Sequence, residues 1–167
     1  MTTQATATRA TTQVKPVPDG HHTLTPYLYV KGAERAMDFY ARAFGAREIF
    51  HLGGDGGRVM HAELRVGDSV LMLCDEDPSR GMNAPSGTER RPASVMVYLP
   101  DVDEVFARAV ENGATALRPP ADMFWGDRFC SLRDPFGHEW SVATHVEDVP
   151  PEEMQRRLAA GCAASSA

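Results

Sequence analysis

The feature that most constrains this chain is an internal repeat. Residues 24–76 and 93–146 share one order of predicted elements: a strand, an amphipathic helix that ends at a glycine, and three further strands. The alternative is an α+β domain with a coincidental repeat. We predict an α+β fold in which two tandem βαβββ modules form a cup-shaped mixed β-sheet with helices on the outside. The matched segments are Tyr29-Val30 with Tyr98-Leu99, Phe44-Gly45-Ala46 with Asn112-Gly113-Ala114, and Gly67 with Gly137.

Hydrophobic periodicity places the elements within each module. Apolar residues at spacings of three and four predict helices over residues 32–44 and 101–112. Period-two alternation and β-branched residues between turn signals predict eight strands. The strands cover residues 24–30, 47–52, 58–66, 69–74, 93–99, 114–118, 127–132 and 139–144.

The same analysis divides the chain into one domain with flanking segments. Residues 1–22 begin with a stretch rich in Thr, Ala and Gln and are predicted to be a disordered extension. A single domain is expected over residues 23–148, with a linker at residues 77–92 that is dense in Pro, Gly, Ser and charge. Residues 149–167 are predicted to form a short helix, over 152–160, and a tail.

Composition excludes several classes of function. No apolar run approaches the roughly 20 residues that a membrane-spanning helix needs. The net charge is −6 and the arginines are scattered, which argues against nucleic acid because phosphate binding requires clustered basic residues. Three cysteines without CxxC spacing predict reduced thiols and a cytoplasmic location.

Three segments carry a resemblance to a known family. They are TPYLYVKGAERAMDFYARAFGA at 25–46, VMHAELRVGDSVLMLCDE at 59–76 and DPFGHEWSVATHVEDVPPEEM at 134–154. With the repeat, they resemble the vicinal oxygen chelate superfamily, and within it the PhnB-like branch. That superfamily includes glyoxalase I, extradiol dioxygenases, fosfomycin-resistance thiol transferases and bleomycin-binding proteins. The resemblance implies a small-molecule site in a central cup and a homodimer.

The resemblance also bears on metal binding. In the metalloenzymes of this superfamily, each module supplies one ligand from its first strand and one from its last. Carried onto this sequence, those positions fall on Thr25, Ser94, Ser141 and a residue near Leu71. Hydroxyls and an aliphatic side chain are poor ligands for a divalent ion, so no metal is expected. A shift of two residues would offer Glu139 alone, and a metalloenzyme with other ligands is the alternative.

Strand alternation predicts which side chains face the cup. On the leading strands and the last strand these are Tyr27, Tyr29, Met96, Tyr98 and Ser141, an aromatic wall with few polar groups.

The loop before residue 127 offers two further ligand contacts. Trp125 is predicted to close over a flat ligand, and Arg128 to bind a carboxylate or phosphate. The alternative is that Trp125 packs under a helix and Asp127 pairs with Arg128.

His61 is the leading titratable candidate. Over residues 58–66, Met60, Ala62, Leu64 and Val66 are expected under the helices, whereas His61, Glu63 and Arg65 face the cup or water. His61 is predicted to be a general base or a hydrogen-bond anchor that Glu63 tunes. The alternatives are a partly exposed strand histidine and a surface pair of Glu63 with Arg65.

Three functions remain open at this stage. The first is a metal-free protein that binds a small organic molecule, as bleomycin-resistance proteins do. The second is an enzyme of the glyoxalase and dioxygenase superfamily, a lyase or isomerase that uses His61 as a base or depends on a metal. The third is a ligand-free structural or regulatory dimer.

Overall fold

A computed structural model of the chain describes residues 15–87 and 93–164 and contains the two predicted modules. The α+β fold class is confirmed. The first module contains β1 (Tyr27–Val30), α1 (Ala33–Phe44), β2 (Arg47–Gly53), β3 (Val59–Val66) and β4 (Ser69–Asp75). The second contains β5 (Val95–Tyr98), α2 (Val102–Glu111), β6 (Thr115–Asp122), β7 (Asp127–Arg133) and β8 (Glu139–His145), and α3 (Pro151–Ala164) follows it.

Each module forms its own four-stranded mixed sheet. The strand orders are β1-β4-β3-β2 and β5-β8-β7-β6, with one parallel pair in each sheet, β1 with β4 and β5 with β8. The register pairs Tyr27 with Met72 in the first sheet and Met96 with Ser141 in the second. Corresponding strands therefore place corresponding residues on the same face.

The two modules share one hydrophobic core on the helix side of the sheets. Helix α1 packs against α2, and the aromatic ring of Phe44 lies 4.7 Å from that of Trp140 in β8. Buried residues of both sheets, such as Val30 and Val142, belong to the same cluster. Helices α1 and α2 both pack on the core side, and neither covers the opposite faces of the two sheets. We call these the first open face (Tyr27, Phe50, His61, Glu63) and the second open face (Met96, Tyr98, Phe129, Ser141).

A buried carboxylate joins the modules. Asp134, in the turn between β7 and β8, is 4% exposed. One of its oxygens accepts hydrogen bonds from the backbone N–H groups of Phe136 and His138, and the other from the Tyr40 hydroxyl at 2.7 Å and the Trp140 indole at 2.9 Å. The DPFGHEW segment therefore sets the turn and also ties α1 to the second sheet.

Some boundaries and faces differ from the sequence predictions. Met60, expected under the helices, is 41% exposed. The ladder shifts there, because Leu52 faces His61 while Gly53 already faces Val59, so Met60 is the extra residue of a bulge. Leu71, expected near a cup position, lies in the core. Strand β6 continues to Asp122 through two prolines, which an edge strand tolerates.

The segments that flank the sheets add two features. Residues 1–14 and 88–92, within the expected extension and linker, lie outside the described residues. Residues 15–25, which we call the N-terminal strap, lie on the first module, where Arg65 donates a hydrogen bond to the carbonyl of Gly20 at 2.7 Å. None of the helices in the described ranges is long and apolar enough to cross a membrane.

Candidate functional site

The first open face holds a chain of four hydrogen-bonded side chains, which we call the Glu63 network. The Tyr27 hydroxyl lies 2.9 Å from Nδ1 of His61, and Nε2 of His61 lies 3.3 Å from Oε1 of Glu63. The other carboxylate oxygen, Oε2, lies 3.2 Å from Nε2 of His21 in the strap. The strand positions follow from alternation, since His61 and Glu63 are two residues apart on β3.

The chemistry of the four groups determines which of them donates in most of these hydrogen bonds. Glu63 is 8% exposed, and as a carboxylate it only accepts hydrogen bonds, so Nε2–H of each histidine donates to it. Nδ1 of a neutral His61 is then an acceptor, and the Tyr27 hydroxyl donates to it. Partial burial, with contributions from Cys74 and Tyr29, raises the pKa of Tyr27 to about 12. Tyr27 therefore keeps its proton at neutral pH and acts as a donor rather than a nucleophile.

Aromatic side chains surround this network. The ring of Phe50 lies 5.6 Å from that of His61, and Tyr27 contacts Tyr29 at a ring distance of 5.7 Å. Between the strap and the sheet is a cavity of about 420 Å³, whose lining includes Phe50, Glu63 and Met72. Its lining also includes two histidines and two threonines, so the compartment is of mixed polarity and suits part of a small organic molecule.

The second open face is simpler. Met96 and Tyr98 are both exposed, Tyr98 to 59%. Ser141 lies beside Met96 in the ladder, and its hydroxyl is 3.3 Å from that of Ser94. Ionisable side chains border this face, since Arg133 pairs with Glu139 at 2.9 Å and Arg118 lies over the ring of Phe129. Between them the face offers apolar contact and hydroxyl groups.

A buried carboxylate orients the aromatic residues at the edge of the second open face. Asp127 accepts hydrogen bonds from the Tyr98 hydroxyl at 3.0 Å, the Trp125 indole at 2.9 Å and His145 at 2.8 Å. Burial alone would raise the pKa of Asp127, but these three hydrogen bonds outweigh burial and lower it. The same carboxylate raises the pKa of His145, with help from Asp148. Tyr98 and Trp125 are thus held in fixed orientations.

The predicted site residues lie in two groups, one on each module, and only Arg128 lies apart from both. Tyr27, Tyr29, His61 and Glu63 lie together on the first module. Met96, Tyr98 and Ser141 lie on the second, with Trp125 at its edge. Arg128 lies elsewhere, because its guanidinium binds Asp103 of α2, at 2.7 Å, and Asp122, at 3.0 Å. Arg128 shares the helix side of β7 with Cys130, and the alternative pair of Asp127 with Arg128 does not form.

The positions that correspond to metal ligands in the family hold no strong ligands. Thr25 precedes β1, and its hydroxyl donates to the carbonyl of His22. The register brings Tyr27, Met72, Met96 and Ser141 to the open faces instead. Across residues 15–87 and 93–164, no group of three His, Cys, Asp or Glu side chains could hold a metal ion. The donor set at this site therefore does not fit a divalent ion.

Three contributors escaped the sequence analysis. His21 and Phe50 complete the surroundings of His61, and Asp127 orients the aromatic residues of the second face. One signal pointed to the strap, because Pro18-Asp19-Gly20 has turn chemistry within the supposed disordered extension. Gly20 does adopt a left-handed conformation, with φ of 79°. No local pattern in the sequence predicts that this turn packs against β3.

Two tandem βαβββ modules, with a site of small-molecule size on the side away from the helices, define the class of protein. The model of the Glyoxalase/Bleomycin resistance protein/Dioxygenase superfamily matches residues 20–142, so the chain belongs to that superfamily. It is 37% identical over 139 residues to the uncharacterized protein Rv0887c of Mycobacterium tuberculosis, which covers 81% of this chain and 81% of that protein. An uncharacterized Mycobacterium bovis protein, Mb0911c, is equally similar over 91% of its length.

Solved structures show the same fold. TioX from Micromonospora sp. ML1 superposes with a TM-score of 0.58 at 29% identity, over 74% of this chain and 98% of TioX. A PhnB protein from Bacillus cereus superposes with a TM-score of 0.55 at 19% identity, over 74% of this chain and 99% of that protein, which is a likeness of fold alone. The superfamily assignment made from sequence is confirmed.

Proposed function

We propose that this protein binds a small organic molecule with a flat apolar part on its open faces, without a metal. One observation carries the proposal: both faces away from the core display aromatic and thioether side chains to solvent, including Tyr27, Phe50, Met96 and Tyr98. Exposed apolar surface of this kind marks a binding site rather than a solvated surface. Tyr29, Trp125 and Ser141 complete the contacts that we assign to the ligand.

A second copy of the chain supplies the opposite wall in this proposal. Helices α1 and α2 pack together, so each open face points away from the core that the modules share. Strands β1 and β5 are each paired on one side only, by β4 and β8. Such edges favour association. We expect a homodimer of cytoplasmic location, in which the buried thiols of Cys74 and Cys130 stay reduced.

The experiment uses 2-naphthamide, a flat and uncharged probe, with isothermal titration calorimetry and amide chemical shifts. Binding should perturb residues of the two open faces. Tyr98→Ala should weaken it about tenfold, the worth of one aromatic contact. Leu158→Ala, which removes an exposed leucine of α3, is the matched control and should change nothing. Equal losses in both variants, or shifts scattered over the surface, would contradict the proposal. A monomeric mass in sedimentation at micromolar concentration would contradict the dimer.

A second candidate function is a metal-independent lyase or isomerase. The observation that favours it is the run from Glu63 through His61 to the Tyr27 hydroxyl, an arrangement that can move a proton to or from a bound molecule. A ligand found by mass spectrometry on the natively purified protein would serve as the substrate. His61→Ala should then lower turnover by orders of magnitude with little change in affinity, whereas a binding protein shows no turnover to lose. An open face closed by its own side chains would favour the third function, a ligand-free dimer.

A further inference from the structure

The Glu63 network gives Tyr27 two alternative hydrogen-bonding states. When His61 is neutral, its Nε2–H is committed to Glu63 and its bare Nδ1 accepts the Tyr27 proton. The Tyr27 oxygen then faces the site with lone pairs only. When His61 carries a second proton, Nδ1–H donates to the Tyr27 oxygen, and the hydroxyl proton is free to turn toward a ligand.

We propose that this site takes up a proton on His61 when it binds a small organic molecule through an anionic oxygen, such as a carboxylate, enolate or phenolate. The proton placed on His61 releases the Tyr27 hydroxyl to donate to that oxygen. The inference deepens the proposed function and rests on it, since it assigns the charge of the polar end of the same ligand.

The charges around the site favour this coupling. Glu63 compensates the second proton on His61, and the ligand oxygen accepts from a neutral hydroxyl rather than facing a bare carboxylate. The high pKa of Tyr27 keeps its proton available over the whole working range. Ionisable groups face His61 from every packed element except β2, which contributes Phe50 and Leu52. These groups are Tyr27 and Tyr29 of β1, Glu63 and Arg65 of β3, Cys74 of β4, and His21 of the strap.

His21 is a positioning residue in this scheme. It occupies Oε2 of Glu63 and leaves Oε1 directed at His61. It also competes with His61 for the charge of one carboxylate. Two contacts fix the strap on the first module. Arg65 donates a hydrogen bond to the carbonyl of Gly20, and the Ser69 hydroxyl lies 3.3 Å from Nδ1 of His22. A β carbon at residue 20 would lie 2.9 Å from the Arg65 guanidinium, so a glycine suits this contact.

The test compares 2-naphthoate with 2-naphthamide, which have the same shape and differ in charge. The carboxyl group of naphthoate has a pKa of about 4, so it stays ionised from pH 5.5 to 8.5. The affinity for naphthoate should fall up to about tenfold for each pH unit once His61 is mostly neutral, because only the protonated fraction is competent. The affinity for naphthamide should stay flat. Calorimetry in two buffers of different ionisation enthalpy should show net proton uptake with naphthoate and none with naphthamide.

Variants separate this inference from the proposed function. Tyr27→Phe should remove the preference for naphthoate over naphthamide at pH 6, because the ring remains and only the hydroxyl is lost. His61→Gln should abolish the pH dependence. His21→Ala should move the pH midpoint of naphthoate binding upward, since Glu63 then serves His61 alone, whereas a purely structural loss would weaken binding equally at every pH. His51→Ala, on the other side of β2 beside Glu48, is the control and should change none of these quantities.

The outcomes are distinct. Naphthamide binding on the open faces with a pH-independent affinity for naphthoate, or without proton uptake in the wild-type protein, would overturn the inference and leave the proposed function standing. Failure of both probes to perturb the open faces would overturn both.

Discussion

The two modules share a backbone but differ in what their open faces carry. Register places Met96 at the position of Tyr27, and Ser141 at that of Met72. By the same alignment, Phe129 corresponds to His61, and Ser131 to Glu63. At these positions the first module presents ionisable groups and the second presents apolar or hydroxyl groups. The second module instead carries its ionisable pair, Arg133 with Glu139, at the end of the same face. The two copies of the fold therefore place their ionisable groups at different positions.

A second difference lies in how each module holds its helix. Helix α2 has its own N-cap, Asp101, which accepts from the N–H of Glu104 at 3.0 Å. Helix α1 begins after Gly32, which has no capping side chain. Asp75 at the end of β4 replaces the cap, since its carboxylate accepts from the N–H groups of Gly32, Ala33 and Val59. The first module therefore caps the N-terminus of its helix with one carboxylate, whereas the second uses Asp101 and Thr144.

The largest expected effect concerns the turns between the last two strands of each module. Asp134→Ala removes the acceptor of two buried side-chain donors and two part-buried backbone N–H groups, and it should lower the free energy of unfolding by about 3–5 kcal/mol. Asp68→Ala, in the corresponding turn of the first module, removes an exposed side chain that bonds only Ser69 among the contacts seen, and should cost less than about 0.5 kcal/mol. Urea unfolding at one fixed protein concentration measures both. Similar losses would show that the turns are equivalent, contrary to the comparison.

The next effect concerns the helix starts. Asp75→Ala should cost about 2 kcal/mol, because three backbone donors lose a charged acceptor. Thr144→Ala, the corresponding change in the second module, should cost about 1 kcal/mol. Helix α2 retains Asp101, and the variant loses the bond from the N–H of Val102 and the bond to the carbonyl of Leu99. The same urea titrations measure the difference. An equal cost for the two variants would contradict the division of tasks between Asp101 and Thr144.

The difference between the open faces can be tested by placing the side chains of the second module at the corresponding positions of the first. The triple variant Tyr27→Met, His61→Phe, Glu63→Ser should still bind 2-naphthamide within about threefold of the wild type, because the apolar contact remains. Its affinity for 2-naphthoate should lose the tenfold change per pH unit. Calorimetry at pH 6 and 8 decides. A pH dependence that survives in the triple variant would place the titrating group outside the Glu63 network.

The sequence predicted the fold well because the fold depends on periodicity. Strand alternation and helical spacing put Leu28, Val30 and Val142 in the core, where they lie. Met60 escaped that rule because a bulge adds a residue to β3, and a bulge has no reliable periodic signature.

The candidate site was predictable only where one strand carries its members. His61 and Glu63 are neighbours by alternation, and Tyr27 faces the same side. His21 and Asp127 depend on contacts between residues distant in sequence, which no window of the sequence contains. Arg128 shows the reverse failure: its residue type suits an anionic ligand, but the helix side of β7 directs it to Asp103 and Asp122.

The smallest effect concerns His145, which the second module places beside Asp127 and Asp148 and the first module does not match. Its pKa is raised by those carboxylates, so its contribution to stability is complete below its ordinary pKa and is lost as pH rises through the higher value in the folded protein. The melting temperature of His145→Gln should therefore lie below that of the wild type at pH 6 by about 1–2 °C, the scale of an exposed ion pair, and the gap should close by pH 8.5. Differential scanning calorimetry at constant ionic strength measures the gap. A gap that stays constant with pH would mean that His145 contributes through packing and not through its charge.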